Sequence, residues 1–256
     1  MSDRVLLKLG GSVITEKARP GVADHAAISS IAEEISKRAD KDLLIVHGAG
    51  SFGHPEAAAY GLTRGADRGN RKGIFLTHQA VCTLNQMMVR ALREAGVEAI
   101  GIHPLAGSFA RAGRLESMEI RSLRILMDIG VIPVLHGDVV MDAVQGACIV
   151  SGDQIVRYLA EKSGFTRVGL ATDVPGVLDP AGRVVECITP GTAGSIPTGR
   201  SQHTDVTGGM EGKIRELLEM AEKGISSEIF HISRLPEFLD GNAHGGTLIR
   251  GSAIHG

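Results

Sequence analysis

The sequence predicts an α/β fold with a mostly parallel central sheet covered on both faces. Three observations lead to it. Short aliphatic and β-branched runs alternate with segments of helical period. The best of these runs, Leu43 to Val46, is nearly all aliphatic, as a strand buried on both faces should be. Glycines follow several runs directly, where a parallel sheet gathers its ligand-binding loops. The 256 residues are long for one domain and short for two, so a single domain with two lobes is expected, with the boundary near residue 165.

Arg4 to Leu9 reads as the first strand. Asp24 is placed to cap a helix whose apolar stripe is Ile28, Ile31, Ala32 and Ile35. Leu43 to Val46 is the second strand, and Lys72 to Glu94 a long helix with Val81, Leu84, Met88 and Leu92 on one face, stopped by Gly96. Ala99 to Ile102 and Val131 to Leu135 read as strands with a helix near Glu119 to Ile129 between them. A helix is expected from Asp153 to about Lys162, then a strand from Arg167 to Ala171. Val177 to Ile188 reads as a hairpin turning at Asp179-Pro180-Ala181-Gly182. Residues 189 to 207 read as a mobile loop, Gly209 to Lys223 as a helix and Glu228 to Ile232 as a late strand.

Composition narrows the function. Hydrophobic residues are 43% and charged residues 22%, an ordinary globular balance. A net charge of −2 gives no basic field for nucleic acid, and 3% aromatics with no Trp leave no stacking platform. Cys82, Cys148 and Cys187 are odd in number and far apart, without zinc spacing, which suits idle thiols in a reducing compartment. The apolar run before Gly10 is too short for a signal peptide or a membrane span, so the expected location is the cytoplasm.

Five motifs carry chemistry. Lys8-Leu9-Gly10-Gly11-Ser12 ends the first strand; its glycines let backbone N–H groups approach a ligand, and Lys8 adds positive charge. A plain glycine turn with a solvated lysine is the alternative. His47-Gly48-Ala49-Gly50-Ser51-Phe52-Gly53-His54 ends the second strand, so two glycine-rich loops at one edge could enclose a single polyanion. His54, beside the glycines, can donate to a phosphate oxygen, whereas His47 reads as a strand-end histidine bonded to backbone. His136-Gly137-Asp138 precedes Ser151-Gly152-Asp153-Gln154, where Gly152-Asp153 opens a helix whose N-terminus favours an anion. Asp153 either caps that helix or holds lysines by charge-assisted hydrogen bonds, and Asp138 ranks below it as a turn residue. Thr172-Asp173-Val174-Pro175-Gly176 is a tight turn at a strand end, suited to a nucleoside pocket or to nothing more than a turn. Asp205 to Lys213 places glycines, among them Gly209, before a helix. Lys213 then falls in the first turn, against the helix dipole, a misplacement that a bound anion would offset.

Taken together and in this order, these motifs resemble the amino acid kinase superfamily, and within it the isopentenyl phosphate kinase branch. The matching stretches are residues 8 to 12, Lys17, 47 to 54, 136 to 138, 151 to 154, 172 to 177 and 205 to 213. The resemblance implies a three-layer α/β/α sandwich, usually a homodimer, that transfers phosphate from ATP to isopentenyl phosphate in an alternative mevalonate route. It implies ATP accompanied by Mg²⁺, although no dedicated protein cage for the metal is visible in the sequence. Lys8, Lys17 and Lys213 would neutralise phosphate charge, Asp153 would organise the lysines, and His54 would hold the acceptor phosphate. ATP would contact Lys8, Gly10, Gly11, Ser12, Gly50, Asp173, Gly209 and Lys213. The acceptor would contact Ala49, Gly50, Gly53, His54 and Gly152, over residues 1 to 165, with the nucleotide over residues 166 to 256. The polar segment Tyr60 to Asn70 offers few walls for an isoprenyl tail, so the helix after residue 72 is the alternative source. Two rivals remain at this stage: a kinase of the same fold acting on another phosphate or on a phosphonate such as fosfomycin, and a non-catalytic nucleotide sensor.

Overall fold

The computed structural model describes residues 3–38, 42–194 and 209–251. The first half runs β1 (Arg4–Leu9), α1 (Gly11–Ile14), α2 (His25–Ser36), β2 (Asp42–His47), α3 (Gly50–Ala59), α4 (Lys72–Glu94), β3 (Ala99–Gly101) and α5 (Pro104–Gly107). It continues with β4 (Ser108–Arg111), β5 (Arg114–Met118), α6 (Arg121–Asp128), β6 (Ile132–His136), β7 (Asp138–Asp142) and β8 (Gly146–Val150). The second half holds α7 (Gly152–Ser163), β9 (Arg167–Thr172), β10 (Cys187–Ile188), α8 (Pro190–Ala193), α9 (Gly209–Glu222), β11 (Ser227–His231), α10 (Leu235–Asp240) and β12 (Thr247–Ile249).

Eight strands form one sheet in the order β10-β12-β11-β9-β1-β2-β6-β3. Every pairing in it is parallel except β11 with β12. Side chains alternate across a strand, so β1 feeds two cores. Leu6 points into a cluster with Ile155, Val156 and Leu159 of α7 and Ile214 and Leu217 of α9. Val5, Leu7 and Leu9 point into the other, with Ile28 and Ile31 of α2, Leu84 and Met88 of α4 and Phe238 of α10. The expected three layers are therefore present: helices, sheet, helices.

The parity of β1 also decides where its lysine goes. Lys8 shares the face of Leu6, so it emerges on the α7–α9 side. The sheet order sets the four strand ends next to one another: β9 leads into Asp173, β1 into Gly10, β2 into Gly48 and β6 into Gly137. That edge is where a parallel sheet binds ligands.

Three expectations need correction. The hairpin over Val177 to Ile188 reduces to a turn around Asp179 with one bridge, Leu178 to Val184. Its second arm leaves to pair in parallel with β12, because Ile188 is buried there beside Ile249. The loop from residue 189 begins with a helical turn, α8, closed by a reciprocal cap between Thr189 and Thr192; residues 195–208 of that loop lie outside the described residues. A second sheet, β5-β4-β7-β8, was not foreseen. Its hairpin β7–β8 packs Val139 and Ala147 against Ala57 and Leu62.

Candidate active site

The edge of the sheet opens into a cleft of ≈ 670 Å³. At its floor, Lys8 Nζ lies 2.9 Å from Asp153 Oδ1, and Lys213 Nζ lies 3.4 Å from the same oxygen. All three are buried, with Lys8 5%, Asp153 7% and Lys213 8% exposed. This removes the reading of Lys213 as a solvated surface lysine. It also removes the reading of Asp153 as a cap: the side chain of Ser151 accepts from the Gln154 N–H and caps α7. Asp153 is left facing the two lysines, one from β1 and one from α9.

The electrostatics follow from that geometry. Burial draws the Lys8 ammonium down to about 8, against the attraction of Asp153 and with the repulsion of Lys213. Burial opposes the Asp153 carboxylate too, but the charges of Lys213 and Lys8 outweigh it and hold the carboxyl below its usual range. Two cations therefore share one anion, a net positive centre in a partly dry cleft.

The glycine loops meet backbone to backbone. A Cβ on Gly11 would lie 2.3 Å from Gly50 N, and one on Gly48 2.7 Å from Gly11 N, so both contacts require glycine. Gly50 has φ +52° and faces the Thr15 side chain. Thr15 joins the loops: its hydroxyl donates to Gly11 O at 2.8 Å and accepts from Ser51 N at 3.1 Å. Gly11 and Gly50 open α1 and α3, where the first backbone N–H has no partner within the helix. Gly10 differs from expectation. Its N–H donates to Ala171 O at 2.9 Å, so it lines the cleft without offering that donor.

The segment after β2 is a helix rather than a loop. Gly53 sits inside α3 because a Cβ there would lie 2.6 Å from Val81 Cγ1, so its glycine lets α3 pack closely on α4. Pro55 lacks an N–H, which releases the Ser51 carbonyl one turn earlier. Gly21 N–H takes it at 2.8 Å and fastens the segment that carries Lys17 to α3. Lys17 in turn pairs with Asp173, whose other oxygen accepts from Ser12 Oγ at 2.9 Å. Burial works against the Asp173 charge, but the hydrogen bonds from Lys17 and Ser12 hold its carboxyl low. His54, half-buried on α3, faces the cleft beside Pro55, Ala57 and Ala58.

Ala49, Gly152 and Gly209 also line the cleft, so the structure brings all the residues assigned above to ATP or to the acceptor to one place, while Asp205 to Gly208 of the last motif lie outside the described residues. Several walls were missed: Thr15, Thr77 and Val81 of α4, and Ile149 and Val150 of β8. The run of aliphatic residues around the Asp142 to Gly146 turn was the available signal for β8. No residue from Tyr60 to Asn70 lines the cleft, while α4 does. His47 has the structural role expected of it: Nδ1 faces Gly48 O at 3.0 Å, Nε2 faces the Asn85 amide at 3.1 Å, and burial lowers it to about 4.

Among the described residues, three carboxylates line the cleft: Asp138, Asp153 and Asp173. Asp153 is held by two lysines and Asp173 by Lys17 and Ser12. Asp138 accepts from His78, Leu105 N and Val139 N. All three carboxylates already serve protein donors, so none is disposed to ligate a magnesium ion.

Residues 3–231 match the sequence model of the amino acid kinase family. The chain belongs to that family. Within the amino acid kinase family it is 40% identical over 248 residues to an isopentenyl phosphate kinase of Haloferax volcanii, covering 96% of this chain and 98% of that one. It is 38% identical to the isopentenyl phosphate kinase of Methanothermobacter thermautotrophicus, covering 98% and 99%. A solved isopentenyl phosphate kinase structure superposes with a TM-score of 0.84 at 36% identity, over 96% of this chain and 99% of that one.

Proposed function

We propose that the chain transfers the γ-phosphoryl group of ATP to isopentenyl phosphate, giving ADP and isopentenyl diphosphate. The observation that carries this within the family is the make-up of the cleft. Its polar floor of Lys8, Asp153 and Lys213 continues, past His54, into apolar walls from Ala57, Val81, Ile149 and Val150. A carboxylate or carbamate acceptor has no use for such walls; a short hydrocarbon chain on a phosphate does. The near-complete coverage of the isopentenyl phosphate kinases supports the same choice.

In this reading an acceptor phosphate oxygen attacks the γ-phosphorus as the bond to the β-bridging oxygen breaks. The transition state spreads negative charge, so catalysis is positioning plus positive charge. Lys8 and Lys213 supply the charge, and Asp153 keeps two ammonium groups together that would otherwise repel each other. Lys17, aimed by Asp173, supplies a third charge from the cleft rim. Gly11 and Gly50 offer backbone donors, and His54 holds the acceptor phosphate. The attacking oxygen is already an anion, so no general base is needed. Magnesium would arrive on the nucleotide.

We assign the acceptor to residues 1–165 and the nucleotide to 166–256. The sheet supports this, since β9, β11, β12 and β10 lie on one side of β1 and β2, β6 and β3 on the other. Among the described residues no helix is long and apolar enough to cross a membrane, and the three cysteines are unbridged, which supports a cytoplasmic location. The exposed Ile100 on edge strand β3 supports a homodimer. The deciding experiment compares ADP release with isopentenyl phosphate, fosfomycin, carbamate and N-acetylglutamate. A kcat/KM for isopentenyl phosphate no higher than for the others would reject the assignment.

A further inference from the structure

A second group of ligand-type side chains lies behind the cleft wall. Strands β3 and β6 pair in parallel with Gly101 opposite Val134, so the residues two further on, His103 and His136, leave the sheet side by side. α4 crosses above them and presents His78 and Cys82, one turn apart. Cys82 Sγ lies 3.4 Å from His103 Nδ1 and 3.4 Å from His78 Nε2, and His103 Nδ1 lies 2.8 Å from His136 Nε2. One ligand atom from each of Cys82, His103 and His136 falls within 4.8 Å of the others.

We propose that Cys82, His103 and His136 form a binding site for a thiophilic divalent cation of the zinc class. One thiol and two imidazoles are a donor set for zinc or cobalt and a poor one for the hard magnesium of phosphoryl transfer. Tetrahedral bond lengths put ligand atoms about 3.5 Å apart for sulfur with nitrogen and about 3.3 Å for nitrogen with nitrogen. The Cys82–His103 separation of 3.4 Å already suits that geometry, and the His103–His136 pair must open from 2.8 Å by about half an ångström.

The second observation is the way the imidazoles are held. His136 Nδ1 donates to Gly137 O at 3.0 Å, which fixes the tautomer and leaves the Nε2 lone pair facing the cluster. His78, beside the ligand set, has Nδ1 3.0 Å from both Asp138 oxygens and Nε2 3.4 Å from the sulfur, so it stands next to the thiol without being counted among the ligands. An entry path exists too: His103 lines an open groove of ≈ 480 Å³ with Asn85, Arg90 and Gly101. On binding, the Cys82 S–H bond breaks, its proton passes to water, a sulfur–metal bond forms, and His103 carries its remaining proton on Nε2.

The test uses the whole chain, freed of metal with a chelator and titrated with Co²⁺ and then Zn²⁺. One Co²⁺ per chain is expected, with a thiolate-to-cobalt charge-transfer band and the visible bands of tetrahedral cobalt, both abolished by one equivalent of Zn²⁺. Cys82→Ser should remove the charge-transfer band, while Cys187→Ser, at an exposed cysteine, should leave it intact. His103→Gln, at a half-buried position, should weaken binding at least about tenfold while thermal melting shows the variant folded. Absence of stoichiometric binding, or a charge-transfer band that survives Cys82→Ser, overturns the proposal and leaves the cluster a hydrogen-bonded chain of side chains.

Discussion

Replacing Asp153 by Asn separates the function of this residue from its place at a helix start. Ser151 is the cap of α7, and Asn would cap about as well as Asp in any case, so the helix itself should not respond. What changes is the charge between Lys8 and Lys213. Removing one partner of a buried ion pair costs about 3–5 kcal/mol if the other stays charged. A cheaper escape is open, because Lys8 already sits at about 8 with Asp153 in place. Without the carboxylate, Lys8 falls further, so a smaller share of the free enzyme carries its charge at neutral pH. Where bound nucleotide restores the charge, the two ammonium groups still lack the anion that holds them together at the transferring phosphoryl, a loss of up to about 10²- to 10³-fold in kcat. A neutralised lysine regains its proton as pH falls, so the Asn variant should recover activity toward acid, with its profile displaced to lower pH than the parent. Steady-state ADP release between about pH 6 and pH 9, together with thermal melting, measures both. A variant with parental kcat at neutral pH, or one whose profile does not move, would refute the lysine-organising role.

His54→Ala should lower kcat/KM for isopentenyl phosphate about 10- to 100-fold, the scale of a hydrogen bond to a charged group, while ATP binding measured alone stays within about twofold; His54→Gln should keep part of the activity. Unchanged acceptor kinetics in the Ala variant would remove His54 from the phosphate site. ATP binding should take up protons near pH 8, because the free Lys8 loses its charge as pH rises through about 8 and the nucleotide's negative charge restores it. Calorimetric titrations in two buffers of different ionisation enthalpy measure that uptake, and identical heats after correction for dilution would contradict it. Arg157→Ala and Glu216→Ala should each reduce kcat through the position of α9, and the double variant should lose less than the sum of the two; strict additivity would show the two residues to be uncoupled.

The sequence was most informative where a local rule and the tertiary environment agree. β1 and α4 were expected at the bounds the structure shows, since one is an aliphatic run interrupted only by Lys8 after its first residue and the other carries a clean stripe from Val81 to Leu92. The α3 helix was read as a loop because Gly50, Gly53 and Pro55 are poor helix formers. Each is needed there for another reason: a positive φ, a close helix contact, and a carbonyl released for Gly21. The second sheet was hidden by its short strands, and by Arg111, Arg114 and Glu116, whose charges mask the alternation of β4 and β5. At the site, residue identities were legible and their pairings were not. Nothing local relates Lys8 to Lys213, which are brought together only by the parity of β1 and the packing of α7 on α9. Nor does anything local announce that Asp173 serves Lys17.

That packing explains how two lysines 205 positions apart keep their register. α7 and α9 exchange charges at two levels. Asp153 of α7 meets Lys213 of α9, and one turn further along Arg157 of α7 meets Glu216 of α9, with Nε to Oε2 at 2.8 Å. The signs are reversed between the levels, so sliding one helix past the other by a turn, about 5.4 Å, would set Asp153 against Glu216 or Arg157 against Lys213. Both alternatives place like charges together in a buried interface, where repulsion is strong. Arg114 of β5 also pairs with Glu216, tying the same level to the small sheet. The upper level therefore acts as a registration device for the lower one. It fixes α9 lengthwise, and with it the place of Lys213 in the floor of the cleft, before any nucleotide is present.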